Sequence, residues 1–470
     1  MKHYDIAVLG SGPGGYVAAI RAAQRGAHVA IVEREDLGGV CLNWGCIPTK
    51  TLIHSADVYA TACNAEEFGV CISGAVEPDW PAMSKRKDTV VGKLSKGVGS
   101  LLKANGVEFL KGTAEFVDRK TLRATQAEGA ATEFQAARTI VATGGQPVWP
   151  GFLPPSSPRL MTSRQALGMT ALPASILILG GGIIGSEWAC MFARLGVRVT
   201  VVEMLPSILP GQDAESARGV AQSMKRLGVD VRTNARMESV EDTGKGVRAT
   251  VGDEALEADA MLVSVGRKPL TDGLKPENAG LELDESGAIP VDSRCATPVP
   301  GIYAIGDVTG GIQLAHRASA MGICAADNAT GARGEHSDTL VPGCIFTTPE
   351  IGTVGLTQEQ AEERGHTVRV GKFPFQALGK ALAIGETDGF CKIVADAETD
   401  QVLGVHIVGP HATDLISEAA AGMRLEVTSE ELARTIHPHP TLGEAVMEAA
   451  HAVHDECIHA PPARKSRQVK

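Results

Sequence analysis

At 470 residues the chain is too long for one hydrophobic core and should divide into about three domains. Its 44% hydrophobic and 21% charged residues are those of a globular protein, and a net charge of −11 argues against general nucleic-acid binding. No apolar run reaches the ~18 residues that a membrane span requires.

Tyr4 to Leu9 reads as the first strand. It lies so near the start that no signal or transit peptide is expected, and a cytoplasmic location follows. The strand feeds Gly10-Ser11-Gly12-Pro13-Gly14-Gly15, a helix to about Gly26, and a second strand from His28 that ends in Glu33. This is a dinucleotide-binding fingerprint. Gly10 allows the tight turn, Gly12 lets backbone approach a pyrophosphate, and Gly15 lets helix pack on strand. The helix amides and dipole then favour the phosphates, and the terminal acid accepts ribose hydroxyls.

Eight residues past Glu33 comes Cys41, and Cys46 follows within Gly38-Gly39-Val40-Cys41-Leu42-Asn43-Trp44-Gly45-Cys46-Ile47-Pro48-Thr49-Lys50. Two such cysteines on a regular helix diverge by ~140° and ~7.5 Å of rise, beyond easy disulfide reach. The segment should therefore be distorted, with Cys41 before the first regular turn and Gly45 permitting the bend. A redox-active disulfide beside a flavin is the economical reading, and two ordinary buried thiols the alternative. The other cysteines, at 63, 71, 190, 295, 324, 344, 391 and 457, read as core thiols, and no zinc-ligand spacing appears.

Thr139 to Gly145 reads as a buried strand ending in a glycine turn, and prolines 147, 150, 154, 155 and 158 mark a linker. A second fingerprint follows. Strand Ser175–Leu179 leads into Gly180-Gly181-Gly182-Ile183-Ile184-Gly185, then a helix to about Gly196 and a strand from Arg198 to Glu203. In both copies the acid stands 18 residues after the last glycine, which makes the signal strong. Two sites imply two dinucleotides, and a dithiol enzyme would need a flavin plus a nicotinamide. A carboxylate at Glu203, with no Lys or Arg from Met204 to Asp213, favours NAD over NADP.

Leu262 to Pro269 closes the second unit, and Gly301 to Asp307 is a strand with an acid at its carboxyl end, where such sheets bind ligands. From about Val341 alternating patterns such as Gly389 to Val394 and Val402 to Val408 suggest an antiparallel sheet in a separate domain. Ile436-His437-Pro438-His439-Pro440-Thr441-Leu442-Gly443-Glu444 holds a candidate acid/base, since a thiolate nucleophile needs a partner that exchanges protons near neutrality. A proline-stiffened surface turn is the plain alternative. Pro461 to Lys470 reads as a frayed tail.

These motifs, in this order, resemble the pyridine nucleotide–disulfide oxidoreductases over residues 1 to about 455, and within them the branch that oxidises dihydrolipoamide for 2-oxo acid dehydrogenase complexes. The resemblance implies an α/β fold of two Rossmann-like dinucleotide-binding domains plus a C-terminal α+β dimerisation domain. Its implied divisions are an FAD domain at 1–148, an NAD domain at 149–270, a central segment completing the FAD site at 271–340, an interface domain at 341–455 and a flexible tail at 456–470. The implied cofactors are FAD and NAD, with no metal. Cys46 would lie against the flavin and Cys41 would meet the substrate, with Lys50 near the flavin and paired with Glu187. Gly10, Gly12, Gly15, Glu33, Gly112, Ala114, Thr143, Gly144, Asp307 and Ala315, beside His316, would bind FAD. Gly180, Gly182, Gly185, Glu203 and Gly266 would bind NAD. His439 with Glu444 would be the acid/base pair, contributed by the other subunit of a homodimer. The implied substrate is a lipoyl domain or free dihydrolipoamide, with no nucleic acid and no membrane. Trp44 departs from the family, where a smaller aliphatic is common. Another NAD(P)H-dependent disulfide reductase, or a redox-inactive flavoprotein scaffold, are the alternatives.

Overall fold

The computed structural model describes residues 1–461, so all but the first residue of the expected frayed tail lies outside it. Backbone contacts gather the chain into two units, Met1–Pro173 with Leu262–Asp338, and Ala174–Met261 with Thr339 onward.

In the first unit, β-branched and aliphatic residues of Lys2–Leu9 and Val29–Glu33 form adjacent parallel strands, Ile6 opposite Val29 and Leu9 opposite Val32. The crossover is helix Pro13–Gln24, whose Ala18, Ala19 and Ala22 are wholly buried. Small side chains there let the helix lie close to helix Ala315–Ala329. The strand Ala131–Val141 organises the rest. It runs parallel to Lys2–Leu9 along its length, its last residues pair in parallel with Ile302–Ala304, and its first residues pair antiparallel with Thr121–Thr125. Leu9, Val141 and Ala304 thus end side by side. The carboxyl edge of three strands faces one place, where open α/β sheets bind ligands.

The second unit repeats the device. Strands Ser175–Leu179, Arg198–Val202 and Asp230–Arg232 are parallel, with helix Ile183–Arg194 as the first crossover, buried on nearly all sides. A small antiparallel meander, Met237–Asp242, Val247–Val251 and Glu254–Ala258, follows. The C-terminal part of this unit is an antiparallel five-stranded sheet in the order Gly343–Ile345, Glu350–Gly355, Val402–Gly409, Phe390–Asp396, Val368–Pro374. Helices Ala412–Arg424 and Glu444–Val453 pack on it. The expected strands after Gly389 and at Val402 are both present. The fit of the second helix depends on Gly371, where a Cβ would stand 2.1 Å from the Ala449 carbonyl oxygen.

Candidate active site

Both glycine loops are built alike. Gly10 takes φ +104°, and a Cβ there would stand 2.3 Å from the Ala142 carbonyl. Gly15 faces the Gly10 carbonyl at 2.0 Å, so neither position tolerates a side chain. Gly12 has nothing within 4 Å of where a Cβ would be, and the same holds for Gly182 in the second loop. Each of these open glycines caps a 12-residue helix that has no side-chain cap, which leaves first-turn N–H groups free for a pyrophosphate. The residues present therefore fit two dinucleotides.

The terminal acids do more than sequence suggested. Glu33 Oε2 accepts from the Ser11 backbone N–H at 3.0 Å and the Ser11 hydroxyl at 2.8 Å, while Oε1 accepts from Glu35 N–H at 2.8 Å. Glu203 matches it, accepting from Gly181 N–H at 2.7 Å and Leu205 N–H at 2.8 Å. Each carboxylate ties its own glycine loop to the end of the second strand.

Around the first loop, Gly112 N–H donates to the Glu33 carbonyl at 2.9 Å and takes φ +150°, with half-buried Ala114 beyond it. Thr143 Oγ1 donates to the Leu270 carbonyl at 2.7 Å, and Leu270 N–H donates back to Gly144 O at 2.9 Å. Asp307 lies 3.5 Å from the Arg267 guanidinium. Ala315 begins its helix with no side-chain cap. Gly266 has φ +112°. Glu187 is 2% exposed and accepts from Phe346 N–H at 3.0 Å, a partner no sequence signal announced.

The cysteine segment is bent where expected but starts sooner. Gly38 and Gly39 have φ +104° and +61°, and they start a short helix, Gly39–Trp44, that already contains Cys41. Two left-handed glycines turn the chain tightly enough to begin the helix before Cys41, not after it. Gly45, at φ −140° and ψ −106°, then breaks the backbone, and Cys46 opens the 18-residue helix Cys46–Cys63. The break lets the two half-buried thiols hydrogen-bond to one another, and that contact, with burial, pushes the Cys41 thiol far up. A negative charge at Cys46 sits where the helix dipole favours it. Lys50 follows one turn later. Asn43 secures the bend by donating to the carbonyls of Leu37 at 3.1 Å and Gly39 at 3.0 Å. Trp44 carries the Arg164 guanidinium 4.0 Å from its ring centroid, and Arg164 pairs with Glu35 at 3.1 Å. Neither role was readable from sequence.

Of the two C-terminal histidines, one is spent and one is poised. His437 places Nε2 2.7 Å from Glu418 Oε1 and Nδ1 2.8 Å from the Thr435 carbonyl, and its side chain is 4% exposed. The Glu418 carboxylate holds its pKa above the ordinary histidine value. His439 places only Nδ1 against a carboxylate, Glu444 Oε1 at 2.8 Å, on a ring 78% exposed. Burial alone would raise the Glu444 pKa, but Thr441 N–H at 2.9 Å and His439 hold it below the usual carboxylate range. An oriented imidazole with an open Nε2 can take and return a proton.

Residues 4–322 match the family model of the pyridine nucleotide–disulphide oxidoreductases, and residues 341–450 match that family's dimerisation domain. The chain is 44% identical to the dihydrolipoyl dehydrogenase of Bacillus subtilis over 97% of this chain and 99% of that one. It is 43% identical to the dihydrolipoyl dehydrogenase of Thermus scotoductus, over 98% and 99%. Among solved structures, LpdA from Mycobacterium tuberculosis superposes with a TM-score of 0.90 at 31% identity, over 96% of this chain and 99% of that one. The HOCl-induced flavoprotein disulfide reductase RclA from Escherichia coli, as its Cu(II) complex, superposes with a TM-score of 0.87 at 31% identity and the same coverage.

Proposed function

The chain belongs to the pyridine nucleotide–disulphide oxidoreductase family, and on that premise we propose that it oxidises dihydrolipoamide to lipoamide with FAD and NAD. The observation that carries this reading is the Cys41–Cys46 thiol contact across the break at Gly45, just past a complete fingerprint. In the resting enzyme these two form a disulfide. His439 of the partner subunit takes the proton from one substrate thiol at Nε2, and Glu444 stabilises the imidazolium through Nδ1. The substrate thiolate attacks Cys41 Sγ, which breaks the Cys41–Cys46 bond and leaves the electron pair on Cys46 as thiolate. The second substrate thiol attacks the sulfur joined to Cys41, closes the lipoyl disulfide and releases the Cys41 thiol.

Gly10, Gly12, Gly15, Glu33, Gly112, Ala114, Thr143, Gly144, Asp307 and Ala315 would hold FAD, together with Lys50. Gly180, Gly182, Gly185, Glu203 and Gly266 would hold NAD. Bound FAD supplies the relay that moves an electron pair from the reduced dithiol to NAD. The substrate is the lipoyl domain of a 2-oxo acid dehydrogenase complex or free dihydrolipoamide. A cytoplasmic location goes with this, since the remaining cysteines read as reduced core thiols.

The test is anaerobic titration of the holoenzyme with dihydrolipoamide, followed by addition of NAD. The flavin spectrum should respond to the thiol and NADH should then form. Cys41→Ser should abolish lipoamide turnover while FAD stays bound. Undiminished turnover in that variant would sink the assignment.

A further inference from the structure

Trp44 stands between the two cysteines and closes helix Gly39–Trp44, immediately before the break at Gly45. The approach to that helix is tied down through one carbonyl, that of Leu37. It accepts from Asn43 Nδ2 at 3.1 Å and from Ser95 Oγ, on helix Trp80–Ala104, at 3.0 Å. The far end of the helix has a different holder. The Arg164 guanidinium lies 4.0 Å from the centroid of the half-buried Trp44 ring, and its Nη1 reaches the two Glu35 carboxylate oxygens at 3.3 and 3.1 Å.

Both sides of this contact rest on fixed structure. Glu35 N–H donates to Glu33 Oε1 at 2.8 Å, so the anchoring carboxylate belongs to the residue that the loop-bracing acid already holds. Arg164 comes from helix Ser163–Ala166, whose start is closed by a reciprocal Thr162–Gln165 cap. Directly after that helix, the Leu167 carbonyl accepts from the buried Lys87 ammonium at 2.7 Å. A guanidinium suits the place, because its plane can stack on a ring while its edge donates to a carboxylate. A smaller aliphatic at position 44 would offer no such face.

We propose that Arg164, Trp44 and Glu35 form a clamp that positions the Cys41–Cys46 dithiol and sets its thiol–disulfide equilibrium. The inference deepens the proposed function and rests on its redox disulfide. All three are positioning residues, acting through the backbone ahead of Gly45. A closed disulfide holds the segment covalently, whereas the open dithiol has only non-covalent contacts to hold it. The clamp limits the freedom of the open form and raises the effective concentration of one sulfur at the other, which favours closure. Releasing the clamp returns that freedom to the dithiol and makes the disulfide easier to reduce.

The test equilibrates the holoenzyme anaerobically in dithiothreitol buffers of set oxidised-to-reduced ratio. Closure passes two hydrogens from the thiols to oxidised dithiothreitol, which becomes the dithiol. Acid quenching, alkylation and mass spectrometry then quantify the Cys41–Cys46 disulfide. In Arg164→Met the equilibrium should move ~10-fold toward the dithiol, the size that a cation–π contact and an exposed ion pair give together. For a two-electron couple that is ~30 mV. Trp44→Val should give the same shift, and Glu35→Gln, which keeps the shape, about threefold in the same direction. Because the contacts act as one unit, the Arg164→Met/Trp44→Val double variant should stay near ~10-fold and not reach ~100-fold. Bound FAD and NADH oxidation by an artificial acceptor should stay within about twofold in Arg164→Met, which separates a released clamp from a misfolded chain.

Unmoved equilibria in Arg164→Met and Glu35→Gln, or shifts that multiply in the double variant, would overturn the proposal. Wild type that turns over dihydrolipoamide beside such unmoved variants would leave the proposed function standing. Wild type that forms the disulfide and shows the coupled shifts, yet does not oxidise dihydrolipoamide, would count against the proposed function only.

Discussion

His437 and His439 stand two residues apart, and their hydrogen bonds give them different capacities. His437 has both ring nitrogens occupied, by Glu418 and by the Thr435 carbonyl, and so has no position from which to accept a proton. His439 is held at one nitrogen only. Glu444→Gln keeps the shape but removes the charge that stabilises the imidazolium. Lipoamide kcat should fall ~100-fold, while NADH oxidation by an artificial electron acceptor stays within about twofold. Stopped-flow kinetics of the two half-reactions would check this, and equal losses in both would contradict the assigned role. Sequence supplied the candidates Cys41, Cys46, His439 and Glu444 because their residue types and spacing carry the chemistry. It did not supply Ser11, Asn43, Arg164 or Phe346, since polar groups that brace a loop leave no spacing signature.

At the scale of elements, two contacts hold parts of the second unit together, and the first of them bears on Glu444. Helix Glu444–Val453 lies on strand Val368–Pro374 only because Gly371 leaves room for the Ala449 carbonyl. Gly371→Ala should lift the helix, lower stability by ~2 kcal/mol in urea denaturation, and impair lipoamide turnover more than NADH oxidation. The second contact joins Asp213, cap of helix Ala214–Arg226, to Lys392 of strand Phe390–Asp396 at 2.7 Å, both side chains almost fully buried. Burial would raise the Asp213 carboxyl, but Lys392 and the Ser216 N–H hold it below the ordinary range. A depressed folded pKa means that this stabilisation is complete above the unfolded value of ~3.9 and is lost as pH falls through the folded value. Lys392→Met strands the carboxylate and should cost ~3 kcal/mol near neutral pH. The deficit should shrink on acidification, and a pH series of urea midpoints would show whether it does.

For the whole molecule, the proposed site needs two chains, because His439 is assigned to the partner subunit's contribution. Cys41→Ser and His439→Gln homodimers should each be inactive with dihydrolipoamide. Unfolding and refolding them as an equal mixture should restore about a quarter of wild-type activity, since half the dimers are mixed and each mixed dimer has one intact site. Activity staying at the level of the separate variants would place His439 in its own chain's site.

The sequence by itself determined the two fingerprints, the dithiol and the C-terminal acid/base segment. Glycine spacing, strand patterning and residue chemistry are local properties, and they persist before the chain folds. The tertiary structure decided the rest. It occupied both ring nitrogens of His437, began the short helix ahead of Cys41, and turned Glu33 and Glu203 into braces for their own loops. Such pairings arise when strands and helices pack, and no local pattern encodes which distant side chains will meet.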